Sequence, residues 1–258
     1  MNTTAQTLAL SRRAVVGLLR QPQVVFPSLF FPLFFTALNS AAFERATNLP
    51  QFPAVDSFLD FLLPATILQG VIFGATSAGV EMATDVANGF FDRLLTSPVS
   101  RTSILVGRLA GAAVLGACQA LLFVLVLLPF GASVRGGPAG LAVLVLVAML
   151  LGIGIGGFGV AMGLRTGSAE AVQGSFPLLF VLMFTSSAFF PRELMTGWYH
   201  DVASINPVSW MVEGLRDLVI EPFAVAPALR AIVVAAGLGV LTVSLSLVQL
   251  RRRLREAA

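Results

Sequence analysis

Lysine is absent from this 258-residue chain, and cysteine, histidine and tyrosine each occur once, as Cys118, His200 and Tyr199. A single cysteine excludes an internal disulfide and a thiolate metal cluster. A single histidine leaves no histidine-rich ligand set, so His200 reads as an interfacial side chain. With no lysine, every basic residue is arginine, which points first to coding bias. Charge is scarce as well. Charged residues make up 11% of the chain, against about a quarter in soluble domains. Several catalytic signatures are missing: GxxxxGK[ST], HExxH and GxSxG do not occur, so the chain has no P-loop of its own. No acidic residue falls near the middle of an apolar run. Asp60, Glu81, Glu170 and Arg230 all lie near run ends, which argues against a proton or ion relay.

What is abundant is apolar surface. Hydrophobic residues make up 57% of the sequence and mean hydropathy is +0.89. Few folds in water hide that much, so an integral membrane protein is the default. The net charge is only +3, and the arginines flank apolar runs rather than forming one patch, so nucleic acid is not an expected partner.

A membrane core about 30 Å thick needs about 20 helical residues. Six runs qualify: 24–43, 57–80, 104–130, 139–164, 171–190 and 228–250. The expected fold class is therefore all-α, with six transmembrane helices. Residues 4–21 precede them as an amphipathic interface helix, with Leu8, Val15 and Leu19 on one face and Arg13 and Arg20 on another. The arginines within this segment argue against a cleavable signal peptide. Phe26, Phe30 and Phe34 form a stripe on the first span, and Phe176, Phe180 and Phe184 another on the fifth. The glycines of Gly152–Gly157 match GxGxxG but sit inside a span, so they predict close helix packing, as do the pairs Gly107–Gly111 and Gly159–Gly163. Six spans put both termini on one side. That side carries eleven arginines and the other five, so both termini are expected in the cytoplasm. The polar segment 85–103 is then cytoplasmic. The mixed segment 191–227, with Trp198, Tyr199 and Trp210, is external. Arg108, one turn into the third span, is expected to snorkel to the head groups. Glu213 and Arg216, at i and i+3, are expected to pair.

Two segments carry a resemblance. Glu81 and Asp85, followed by GFFDRLLTSPVSRTSILVGR from Gly89 to Arg108, are similar to the stretch after the second span of ABC-2 type permeases, the membrane subunits that include the daunorubicin-resistance permeases. Asp92-Arg93-Leu94-Leu95-Thr96-Ser97-Pro98-Val99-Ser100-Arg101 fills that pattern, and Asn206-Pro207-Val208-Ser209-Trp210-Met211-Val212-Glu213-Gly214-Leu215-Arg216 resembles the run before the family's last span. The resemblance covers essentially the whole chain.

It implies a single transmembrane domain over 1–258, in which residues 85–103 hold a coupling helix that docks on a separate ATPase and 191–227 fold as re-entrant helices at the outer face. Coupling would fall to Glu81, Asp85, Gly89, Asp92, Arg93, Leu94, Ser97, Pro98 and Arg101, and the re-entrant turn to Asn206, Pro207, Glu213 and Arg216. Phe73, Phe176, Phe180 and Phe184 would line the substrate path. ATP and magnesium would sit on two ATPase copies and no cofactor in this chain. The permease would pair as a homodimer or heterodimer in a bacterial plasma membrane, among membrane lipids. The resulting expectation is ATP-driven export of a small lipophilic or lipid-like substrate. Export of a polysaccharide or lipid-linked glycan, a membrane-embedded lipid-modifying enzyme and a passive channel remain as alternatives.

Overall fold

The structure, a computed structural model, describes residues 3–96 and 100–256. Their regular structure is entirely helical, with no strand among the described residues. In chain order the helices are α1 (Thr3–Leu19), α2 (Pro22–Phe43), α3 (Phe58–Ala75), α4 (Ser77–Ala87), α5 (Phe90–Thr96), α6 (Arg101–Leu127), α7 (Gly137–Thr166), α8 (Ala169–Gly174), α9 (Phe176–Phe184), α10 (Trp198–Ile205), α11 (Pro207–Ile220) and α12 (Val225–Glu256). Short 3-10 turns cover Glu44–Asn48, Leu128–Phe130 and Arg192–Leu194.

Five runs are long and apolar enough to cross a membrane: Val25–Asn48, Phe58–Ala87, Ser103–Phe130, Gly137–Thr166 and Val225–Arg255. With the shorter apolar run Ala169–Phe184, they make an all-α membrane protein. Phe58–Ala87 is the central post, with 94% of its apolar window buried, against 17% for Val25–Asn48 at the periphery. α3 packs on α2, α6, α7 and α11, while α7 packs on α4, α6 and α12.

Two expected single helices are broken. The run expected to end at Val80 continues to Ala87 and hinges at Thr76, between α3 and α4. Thr76 Oγ1 donates to Phe73 O (2.9 Å) and Ser77 Oγ to Gly74 O (2.7 Å), so side chains occupy backbone acceptors where the helix bends. α4 then ends at Asn88, followed by Gly89 at φ +68°, a left-handed position that suits glycine. Asp85 consequently lies on a helix rather than in a loop. The second break is in 171–190, which forms α8 and α9 around Ser175 and ends its helix at Phe184. Pro177, in the first turn of α9, has no N–H to continue α8. Ser175 Oγ donates to Val172 O instead (2.6 Å).

Small residues set the helix spacing. A Cβ on Gly79 would lie 2.5 Å from Gly159 Cα, and one on Gly163 2.7 Å from Gly79 O. α4 and α7 therefore meet backbone to backbone, as the GxxxG reading of Gly159–Gly163 requires. Gly152 similarly admits Ala112 O at 2.5 Å from its Cβ position.

Candidate functional site

Three groups of residues stand out, one at each end of the bundle and one between. At the α1 end, Glu81 and Asp85 lie one turn apart on α4 and both accept from Arg108 on α6. Gln21 Nε2 donates to the other Glu81 oxygen (3.1 Å). The three charged side chains are only 14–21% exposed. Arg108 therefore does not snorkel outward. Two carboxylates hold it, because a partly buried guanidinium gains more from fixed charges than from a partly screened head group. Glu81 and Asp85, expected to serve coupling, clamp α4, α6 and the α1–α2 junction together.

α5 follows this clamp. Phe91 is buried, Leu94 packs against the core, and Asp92 and Arg93 are exposed. The apolar face of α5 thus faces its own bundle, and a two-residue charged edge faces outward. Phe90 lies beneath the Arg13 guanidinium of α1, 4.4 Å from ring centroid to carbon. The start of α6 is fixed as well: Ser100 Oγ accepts from Ser103 N (3.1 Å), and Ser100 N donates to Gln6 Oε1 of α1 (3.1 Å). Ser97 and Pro98 lie outside the described residues. Arg101 opens α6.

In the middle of the bundle the two phenylalanine stripes diverge in role. Phe73 meets Phe176 (5.0 Å between centroids) and stacks on Phe180 (5.7 Å), which stacks on Phe184 (4.8 Å) and so leads to Phe189 (4.8 Å). The four phenylalanines expected on one path are therefore contiguous. Three of them, Phe73, Phe176 and Phe180, border a cleft of about 410 Å³ completed by Gln23, Pro27, Ser28 and Phe31, while Phe184 lies outside its lining. The α2 contribution was not read from the sequence. Phe31 and Phe35 reach Phe73 (5.9 Å) and Phe184 (6.0 Å), whereas Phe26, Phe30 and Phe34 stack on one another at the surface. A one-residue step turns the side chain by about 100° on a helix, which separates the two sets. Behind the cleft, buried Gln119 donates to Ser28 Oγ (3.0 Å) and Gly70 O (2.9 Å), tying α2, α3 and α6 together.

At the far end, Asn206 caps α11 by accepting from Val208 N (2.9 Å), with Pro207 as the first helical residue, as the sequence predicts. Its amide also donates to Leu182 O (2.6 Å) and Thr185 Oγ1 (3.2 Å), anchoring α11 to α9. The expected Glu213–Arg216 pair does not form. Glu213 accepts from Ser187 Oγ (2.8 Å) and Arg192 (2.9 Å). Arg216 is 4% exposed and donates to Phe61 O (3.2 Å), Ser187 O (2.8 Å) and Ala188 O (3.1 Å), with its guanidinium 3.6 Å from the Phe61 ring centroid. Three carbonyls at the ends of α3 and α9 satisfy it more fully than one carboxylate on its own helix does. Asp60, also buried, accepts from Ser133 N (2.6 Å) and Oγ (3.0 Å) and pins the α6–α7 turn.

The sequence of this chain is similar to those of known proteins. The family model described as ABC-2 type transporter matches residues 5–220. The daunorubicin resistance ABC transporter permease protein DrrB1 of Streptomyces coeruleorubidus is 31% identical over 198 residues, covering 76% of this chain and 66% of that protein, just under two thirds of its length. The probable doxorubicin resistance ABC transporter permease protein DrrC of Mycobacterium tuberculosis is 24% identical over 91% of this chain and 84% of its own. The putative transport permease ycf38 of Porphyra purpurea is 28% identical over 81% and 72% respectively. With 216 consecutive positions under the family model and both sequence signatures in order, the chain belongs to the ABC-2 type transporter family.

Proposed function

We propose that the chain is the membrane-spanning permease of an ATP-driven exporter that moves a small lipophilic substrate outward across a bacterial plasma membrane. The observation that carries this reading is the aromatic cleft between α2, α3 and α9. Its lining is four phenylalanines and a proline, with only Gln23 and Ser28 polar. Such a surface rewards an apolar, ring-bearing solute and offers few partners to the hydroxyls of a glycan. Two relatives named for daunorubicin and doxorubicin resistance support the same class of cargo.

Energy would enter from a separate ATPase carrying ATP and magnesium, two copies serving a pair of permeases. The exposed Asp92–Arg93 edge of α5 is the contact on this side. α5 is short, its apolar face is spent on its own bundle, and the Glu81–Asp85–Arg108 clamp behind it ties α4 to α6. A push on α5 is thereby shared by two spanning helices, a requirement of alternating access by rigid-body motion.

Co-expression with a candidate ATP-binding-cassette ATPase from the same genome tests the reading. The complex is expected to co-purify, hydrolyse ATP and lower cellular accumulation of a fluorescent lipophilic dye. Asp92→Ala with Arg93→Ala is expected to abolish co-purification while the permease still folds. A permease that never retains an ATPase, or a dye level unaffected by its expression, overturns the proposal.

A further inference from the structure

A second cleft, of about 520 Å³, opens between α1, α4 and α6, within the range of about 300–1,000 Å³ typical of small-molecule sites. Leu10, Val16, Val80 and Ile104 contribute apolar wall. Its charged groups divide into two sets. Glu81 and Asp85 are engaged by Arg108, and Glu81 by Gln21 as well. Arg13 and Arg20 also line the cleft, are exposed, and have no carboxylate partner among the described residues. The cleft thus holds three guanidinium groups against two carboxylates, and the two uncommitted charges are both positive.

The placement of those two is specific. Arg13 sits on α1 and Arg20 in the turn just past its end, seven residues on, which at the helical rise is about 10 Å along the axis. The Phe90 ring covers the Arg13 guanidinium at 4.4 Å. A ring on that face leaves the in-plane N–H groups for an acceptor, the geometry that suits phosphate oxygens. Between the arginines is Gly17, where an added Cβ would meet nothing within 4 Å. The space between the two charges is therefore open.

We propose that this cleft binds the phosphodiester headgroup of an anionic phospholipid, with Arg13 and Arg20 on the phosphate and the first acyl segments against Leu10, Val16, Val80 and Ile104. Free phosphate satisfies the arginines but leaves the apolar wall in water; a lipid uses both. The site involves no ATPase, so its failure leaves the coupling role of α5 standing.

The test is native mass spectrometry of the full chain in mild detergent. The chain is titrated separately with dioleoylphosphatidylglycerol, dioleoylphosphatidylcholine and inorganic phosphate. One phosphatidylglycerol is expected to be retained about tenfold better than phosphatidylcholine. R13Q and R20Q are each expected to weaken that retention about fivefold. Gly17→Phe, which fills the gap and keeps both charges, is expected to weaken it at least as much. Arg251→Gln with Arg252→Gln, on the exposed end of α12, is expected to leave it unchanged. Equal retention of the two lipids overturns the proposal. So does loss in the α12 variant equal to that in R13Q, since general surface charge is then responsible. Inorganic phosphate binding as well as phosphatidylglycerol overturns the lipid assignment in favour of a soluble-anion site. Should R13Q or R20Q fail to fold, Gly17→Phe decides the question alone.

Discussion

Two arginines in this chain do different work because their surroundings differ. Arg108 sits between two carboxylates at 14% exposure. Removing it leaves Glu81 and Asp85 as like charges one turn apart with little solvent to screen them. Arg108→Gln is therefore expected to cost about 2–3 kcal/mol, read as a lower thermal midpoint in detergent. The triple variant Glu81→Gln, Asp85→Asn, Arg108→Gln is expected to recover at least half of that loss, because a neutral trio carries no stranded charge. A triple variant no better than the single one would show that the loss is in packing. Arg216 has no such escape. Its partners are backbone carbonyls of Phe61, Ser187 and Ala188, which mutation cannot neutralise. Arg216→Leu is expected to cost roughly 3 kcal/mol or more through stranded acceptors. Arg216→Lys is expected to rescue little, since an ammonium cannot reproduce the planar fork over the Phe61 ring. Near-native stability of Arg216→Lys would reassign the role to charge alone.

At the scale of the helix, contact between backbones decides more than side-chain size. α4 and α7 approach so closely at Gly79 and Gly159 that a methyl group has nowhere to go. Gly79→Ala is expected to destabilise by about 1–3 kcal/mol, although alanine is the better helix former in isolation. Gly237 has open space around its Cβ position, so Gly237→Ala is expected to be neutral or stabilising, and melting curves of the two variants compare them directly. This packing was legible in the sequence, because Gly159 and Gly163 fall on one helical face inside a long apolar run. The helix ends were less so. A hydrophobic run reports burial in lipid, not where a serine or threonine takes over a backbone acceptor, and so the breaks at Thr76 and Ser175 did not show. Hydropathy also stopped the second span at Val80, because Glu81 and Asp85 read as solvent-exposed until Arg108, 27 positions beyond Glu81, is brought against them. Asn206 and Pro207 were legible for the opposite reason, since an N-cap and its proline are local in sequence. Glu213 and Arg216 were not, because their true partners lie on α3 and in the segment after α9, distant in sequence.

Across the whole molecule, the central post joins the aromatic cleft to the charged clamp. Phe73, beside the cleft, and Glu81, in the clamp, are eight residues apart, about 12 Å along a helix, with the Thr76 hinge between them. If substrate meets the cleft and force meets the clamp, lesions at the two places separate in the kinetics of the assembled exporter. Phe180 stacks on both Phe73 and Phe184, so Phe180→Ala removes apolar lining without touching a charge. It is expected to raise the substrate concentration needed for half-maximal stimulation of ATP hydrolysis by about 5–30-fold, equivalent to about 1–2 kcal/mol of lost burial, with the basal rate intact. Arg108→Gln is expected to behave in the opposite way. The half-maximal concentration is expected to stay near its original value and basal and stimulated rates to fall together, if the clamp relays the push proposed to enter at α5, since Arg108 lies outside the aromatic lining. Titration of both variants with one dye, in vesicles holding permease and ATPase, compares the two. A shared phenotype, with both parameters moved in both variants, would mean that cleft and clamp form one binding unit and that the Thr76 hinge divides nothing.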